Sequence, residues 1–406
     1  MSVVEELKNK NIVHWFRKDQ RVNDHAIFSN LGLFSTVTAF YVHDTEIESV
    51  FNLGFPKIGN HRKLFLEQSL HELRDSLASL NVQLHIFQSV EELIASTMLN
   101  TAVLSYQKLY GTEELSIEQT ITSIFNGRTY VFDDFTLVDK NNLPFTLDNM
   151  PSLFTQFKNA VGAEGAYQET IQLPLLPTES TTYKLVGGET QALNRLTYYF
   201  TESQLLSTYE LTRNGMLGTD FSSRFSPWLA IGNITPRTIF DYIVRYEEEI
   251  ESNKSTYWLI YELLWRDFFQ LQLQLWGSLF FQVGGIQQKQ IRYTSNTAAF
   301  EKWMQGNTGD DLVDANMREL NTTGWMSNRG RQNTASFLIH DLKQDWRWGA
   351  AYFESLLVDY DPASNWGNWM YIAGVGHDAR PFRKFNTKLQ AERYDSEGNY
   401  RKLWLK

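Results

Sequence analysis

Trp258, Glu262, Trp265 and Phe269 recur at spacings of four, three and four in the run "STYWLIYELLWRDFF", which puts them on one face of a helix. A carboxylate between two indoles has two readings of similar weight. It is the polar interruption of a core stripe, satisfied by an ion pair to Arg266 one turn on, or it is a functional acid. Left unpaired in a core, the charge on Glu262 would cost on the order of several kcal/mol.

Three further clusters carry polar chemistry. In "TRNGMLGTDFSSRFSPWLAIGNITPR", the hydroxyls of Ser222, Ser223 and Ser226 stand just ahead of a helical run, a pattern that suits a phosphate or pyrophosphate and equally suits a simple cap. In "MSNRGRQ", Asn328, Arg329, Arg331 and Gln332 precede an apolar helix, and arginine forks grip phosphates or carboxylates at two points. In "VDYDPASNWGNWMY", Asp359, Asp361, Asn365, Trp366 and Trp369 crowd together without the spacing of a calcium loop. Acids and amides in that density suit the polar edge of a heteroaromatic ring, and Gly367 reads as room for the backbone to approach it.

Composition narrows the classes. No cysteine is present, which excludes disulfides, thiolate metal sites and cysteine nucleophiles. The eight histidines form no HExxH-like spacing, so no metal is expected. A formal charge of -10 argues against gripping duplex DNA by bulk electrostatics. The start "MSVVEELKNKNIVHWF" has no basic, then apolar, leader, and no membrane span is visible, so a cytoplasmic protein is expected. Aromatic residues make up 14% of the chain, enough for a large core or for a site that holds a flat aromatic ligand.

The elements that must position these residues fall into two kinds. Runs such as "NIVHWF", "TVTAFYVHD", "VQLHIFQ", "TAVLSYQ" and "TYVFDDFTLV" alternate with helical patterns such as "HRKLFLEQSLHELRDSLASL", the signature of a parallel sheet covered by helices. No GxGxxG follows the first strand. We expect a Rossmann-like α/β domain over 1–135, a connector rich in proline and glycine over 136–190, and an all-α domain over 191–406.

In this order, "NKSTYW…ELLWRDFF", "VDANMREL", "MSNRGRQNTASFL", "DWRWGAAYFESLLVDYDPASNWGNW" and "FNTKLQAERYDSEGNYRKLW" resemble the photolyase/cryptochrome family along nearly the whole chain, and its cryptochrome DASH branch in particular. The resemblance implies an α/β antenna domain followed by a helical domain that holds FAD in a U shape. It assigns Tyr209, Ser222, Ser223, Arg224, Phe225 and Ser226 to the FAD phosphates and ribityl chain. Asn328 and Arg331 would flank the isoalloxazine, Asp359 and Asp361 would face its polar edge and the adenine side, and Asn365 would stand opposite flavin N5. Glu262 and Arg266 would also border the cofactor.

The implied activity is blue-light repair of cyclobutane pyrimidine dimers by electron transfer from reduced flavin. Glu262 would contact the dimer, with Arg213, Trp265, Arg266, Gln332 and Tyr371 as DNA or lesion contacts. Trp369, Trp346 and Tyr293 would relay electrons to the flavin. Tyr293 departs from the tryptophan usual in the family, and so do Asp310, Asp311 and His377 from its aromatic, proline and asparagine. Tyr371 in place of the tryptophan of duplex-repairing photolyases, together with the net charge, implies a preference for single-stranded or looped DNA. The branch also implies a second chromophore, methenyltetrahydrofolate, near Glu113 or Glu114, and a monomer. The alternative function is a blue-light photoreceptor that binds DNA and repairs little.

Overall fold

The computed structural model describes residues 5–44, 49–100, 103–164, 167–181, 183–378 and 383–406. Five strands form one sheet: β1 (Asn11–Trp15), β2 (Thr36–Val42), β3 (Leu84–Phe87), β4 (Val103–Gln107) and β5 (Arg128–Phe132). Thr101 and Ala102, the first residues of the fourth expected run, lie outside the described residues. All pairings are parallel and the order is β3-β2-β1-β4-β5, so connections reverse direction between β1 and β4.

Both sheet faces are covered, as the period of two in β1 requires. Ile12 packs with Leu73 and Leu77 of the helix Asn60–Ser79, while Val13 and Trp15 pack with Leu93 and with Ile121 of the helix Thr112–Ile124.

The proline-bearing segment after β5 is not all irregular. Phe154, Phe157 and Val161 recur at helical spacing, form the helix Phe154–Glu164 and enter the main core. That window was too short, between prolines, to stand out in the sequence. Past Glu189 the described residues hold helices and no named strand, as expected of an all-α part. Its spine is the helix Lys254–Trp276, capped by Asn253, whose side chain accepts the N–H groups of Ser255 and Thr256 at 2.7 and 3.2 Å. The helix Pro362–Ala373 lies across it. A Cβ on Gly367 would stand 2.3 Å from Cδ1 of Phe269. This glycine therefore serves a helix crossing, which corrects its reading as room for a ligand.

Ion pairs and hydrogen bonds to buried side chains join the two parts. Arg237 donates to Asp24 at 2.7 Å and to Asp134 at 3.0 Å, and Glu189 accepts the N–H groups of Val22 and Asn23 at 2.9 and 3.1 Å. Among the described residues no helix is long and apolar enough to cross a membrane.

Candidate functional site

The residues singled out from the sequence converge. A cavity of about 1120 Å³, open to solvent, is lined by Tyr209, Arg213, Ser222, Ser223, Arg224, Phe225, Ser226, Glu262, Arg266, Asn328, Arg331, Asp359 and Asp361. A second, of about 550 Å³, is lined by Gln332, Asn365 and Trp369 and shares Asn328, Arg331, Asp359 and Ser364 with the first. Four separate stretches thus meet around one branched space. Trp265, Tyr371, Trp346 and Tyr293 lie outside its lining.

One wall is cationic and partly unspent. Arg195 holds the serine loop by donating to the carbonyls of Thr219, Ser222 and Ser223 at 3.0 to 3.1 Å. Arg224, at a left-handed φ of 57°, gives Nη2 to the carbonyl of Gly218 at 2.7 Å, while its buried Nε has no partner. Arg266 gives Nη1 to the carbonyl of Phe135 at 2.7 Å, and its buried Nη2 has no partner either. Such orphaned donors are costly unless a ligand meets them. Two guanidinium groups bordering the cavity, beside serine hydroxyls, are a donor set that fits a pyrophosphate. The set therefore fits FAD.

Two acids, Asp359 and Asp361, also border the cavity. Asp359 accepts from Nη2 of Arg331 at 2.8 and 3.0 Å and from the Ser226 hydroxyl at 2.7 Å. Asp361 caps the helix Pro362–Ala373 through the N–H of Ser364 at 2.8 Å and accepts Nε2 of Gln270 at 2.8 Å. Burial opposes its charge, but Lys18, Arg266 and these two donors hold its carboxyl below the usual range. Asn365 gives its Nδ2 to the carbonyl of Ala350 at 3.0 Å, which fixes the amide at the smaller cavity.

Glu262 does not pair with Arg266. Its partner is Arg213, from the turn after the short helix Tyr209–Thr212, whose guanidinium also lies 4.2 Å over the Trp258 ring. Arg266 is drawn away by the Phe135 carbonyl. Burial pushes the Glu262 carboxyl above the usual range and Arg213 offsets part of that rise. Trp265 stacks on Phe154 at 3.8 Å and meets Tyr371 edge-on at 5.8 Å. The Tyr371 hydroxyl accepts from Arg383, which also covers its ring at 4.1 Å. Gln332 accepts from Arg329 at 3.0 Å.

Behind Asn365, Trp369 packs against Phe353 at 5.1 Å and Trp303 at 6.1 Å. Trp346 is fully buried and donates to the carbonyl of Val283 at 3.1 Å. The Tyr293 hydroxyl is buried without a partner, and burial with nearby Asp345 pushes its pKa far above the usual value. Asp310 caps the helix Asp311–Thr323 and accepts from Thr387, a structural duty. His377 stands 3.3 Å from the Gln272 amide.

Glu113 and Glu114 border a separate groove of about 830 Å³ with Lys57, Arg62, Phe281 and Trp366. Both are paired, Glu113 with Lys57 and Glu114 with Lys18, each at 2.5 Å. His14, Asp19 and His25 cluster with the geometry of three metal ligands. Nδ1 of His25 accepts the N–H of Ile27, so Nε2 keeps its proton and donates it to Asp19 at 3.2 Å, and His14 bridges Ser105 and Asp19. The cluster is a closed hydrogen-bond network. Trp325 and Phe221, which also line the main cavity, were missed from sequence. An indole directly ahead of "MSNRGRQ" was the available signal for the first.

A family model described as the FAD binding domain of DNA photolyase matches residues 258–406, and one described as DNA photolyase matches residues 12–177. Cryptochrome DASH of Synechocystis sp. is 40% identical over 97% of this chain and 87% of that protein. Cryptochrome DASH of Danio rerio is 37% identical over 98% and 83%. The crystal structure of the Synechocystis cryptochrome matches with a TM-score of 0.88 at 40% identity, covering 97% of this chain and 88% of that one. A class III photolyase from Agrobacterium tumefaciens matches with a TM-score of 0.81 at 26% identity, covering 100% and 88%.

Proposed function

From the premise that the chain belongs to the photolyase/cryptochrome superfamily, in its cryptochrome DASH branch, and binds FAD, we propose that it splits cyclobutane pyrimidine dimers under blue light, taking them from single-stranded or looped DNA. The observation that carries this reading is the branched cavity itself. Its lining brings the guanidinium groups of Arg224 and Arg266, the hydroxyls of Ser222 and Ser223 and the acid Glu262 to one space.

FAD, when bound, supplies light absorption and the transferable electron. Arg224, Arg266 and the loop of Ser222 and Ser223 would bind its phosphates. Arg331, Asp359 and Ser226 form one hydrogen-bonded unit that would orient the flavin side, and Asn365 would offer its amide to the flavin ring. Glu262 meets the pyrimidine carbonyl where negative charge develops and, when protonated, offers it a proton; burial pushes its carboxyl above the usual range. Trp265 and Tyr371 form the aromatic wall for the lesion, flanked by Arg213 and Gln332. Trp369, Trp346 and Tyr293 relay electrons inward from the protein exterior.

Unstacking a dimer costs less in single strands, and the net charge of -10 gives little help on duplex. We also assign methenyltetrahydrofolate to the groove of Glu113 and Glu114, where Phe281 and Trp366 offer ring faces and Lys57 and Arg62 offer cations. Illumination of reduced protein with thymine-dimer oligonucleotides, single-stranded and duplex, tests the main reading: faster repair of the single strand is expected, and no repair of either would overturn it. Absence of a folate band in protein purified with its chromophores would remove the second assignment.

A further inference from the structure

Trp366 borders the groove of Glu113 and Glu114 but has no part in the main branched cavity or in the relay named above, and its surroundings differ from those of the other buried indoles. Its Nε1 donates to Oε2 of Glu354 at 3.0 Å, and both residues are buried, at 8% and 6% exposure. By contrast, Trp346 donates to the carbonyl of Val283 and Trp303 to that of Thr334, each at 3.1 Å. A backbone carbonyl accepts a hydrogen bond but is a very poor base. A carboxylate can take the proton outright. Among the described residues Trp366 is the indole whose N–H meets a carboxylate.

The ring is also placed to exchange electrons. It meets Trp346 edge-on at 5.7 Å and Phe281 at 5.1 Å, and it lies three residues before Trp369 on the same helix. Trp366 and Glu354 both border the groove that opens to solvent beside Lys57 and Arg62. Tyr293, at the other end of the relay, is poorly suited to give up an electron, because a tyrosine must shed its proton when oxidised and its buried hydroxyl has no acceptor.

We propose that Trp366 and Glu354 form a proton-coupled electron donor that branches from the relay at Trp346. This rests on the reading above that Trp369, Trp346 and Tyr293 relay electrons inward to the flavin. Trp346 refills Trp369, and Trp366 refills Trp346 across the edge contact. The Nε1–H bond of Trp366 breaks as its proton passes to Oε2 of Glu354. The pair then consists of a neutral tryptophan radical and a neutral carboxylic acid. When no folate occupies the groove, an external thiolate that reaches it returns one electron and leaves as a thiyl radical, and the proton moves from Glu354 back to Nε1. Arg62, whose Nη1 donates to the Glu354 backbone carbonyl at 3.1 Å, keeps positive charge beside the site, and Tyr360 donates to the same carboxyl.

Time-resolved absorption after flavin excitation provides the test, comparing wild type with Glu354→Gln, Glu354→Asp and Trp366→Phe. In Glu354→Gln the deprotonation rate of the radical is expected to fall about a hundredfold, the scale of a positioned base, with rescue by Glu354→Asp. A second readout needs no flavin: azide radicals oxidise the flavin-free protein, and peptide mapping locates the oxidised indoles. Damage at Trp366 is expected to drop in Glu354→Gln while damage at other indoles holds. Unchanged neutral-radical kinetics and an unchanged damage map in Glu354→Gln would overturn the proposal. Loss of all light-driven signals in wild type, with the damage map still shifted, would instead overturn the flavin reading and leave the pair standing.

Discussion

Arg213 closes an ion pair on Glu262 while its guanidinium lies 4.2 Å over the Trp258 ring, so the acid of the long helix is held from a turn 49 residues away. Arg266, one turn along the same helix, bonds the Phe135 carbonyl at 2.7 Å. This division leaves the buried Nη2 of Arg266 without a hydrogen-bond partner and gives Glu262 its charge partner from a distant segment.

Removing Arg213 takes away the one influence that offsets burial at Glu262. In Arg213→Ala the carboxyl therefore keeps its proton to higher pH, and the alkaline limb of the repair profile is expected to move upward. Glu262→Ala is expected to lower repair yield with flavin still bound. The pH dependence of repair yield and the flavin absorbance check both.

Gly367 faces Phe269 at a helix crossing with no room for a Cβ. Gly367→Ala is expected to destabilise the protein by about 1–3 kcal/mol, the scale of overpacking. Adding Phe269→Leu should recover part of that loss. Denaturant unfolding of the single and double variants measures it; equal stability of Gly367→Ala and wild type would show that the helices separate freely.

Burial pushes the Glu189 carboxyl up to about 7, against the N–H groups of Val22 and Asn23 that favour its charge. The native state then holds a proton that the unfolded chain releases above the ordinary carboxyl pKa. Stability from this group is present at low pH and is lost as pH rises through about 7. Denaturant midpoints at mildly acidic and mildly alkaline pH are expected to differ more in wild type than in Glu189→Gln.

Tyr293 lacks a proton acceptor at its buried hydroxyl. Tyr293→Trp, which can be oxidised before losing a proton, is expected to speed flavin photoreduction, and Trp369→Phe to slow it strongly. Flavin absorbance under continuous blue light with a thiol donor reads both rates.

The two halves of the fold were legible because their signals are local. β-Branched and aromatic runs at period two mark β1 to β5, and apolar spacing at three and four marks the helices after Glu189. The family resemblance rests on linear motifs, and Ser222, Arg224, Asn328, Arg331, Asp359 and Asp361 of those motifs line one cavity. The helix Phe154–Glu164 was harder to see, since it is short and lies between prolines.

Partnerships across the chain were not legible. Residue types and helix periodicity named Glu262 as an acid in need of a partner, but chose Arg266 because sequence reasoning reaches only one turn away. Packing of the Tyr209–Thr212 turn against the long helix supplied Arg213 instead. The glycine of "NWGNW" looked like room for a ligand, yet the crossing with Phe269 set its purpose. Trp366 carried no assignment until helix Trp346–Leu356 brought Glu354 to its indole nitrogen. Local spacing specifies which elements form and which faces they present. Which side chain satisfies a buried charge depends on contacts between distant segments, because burial removes the solvent that would otherwise meet it.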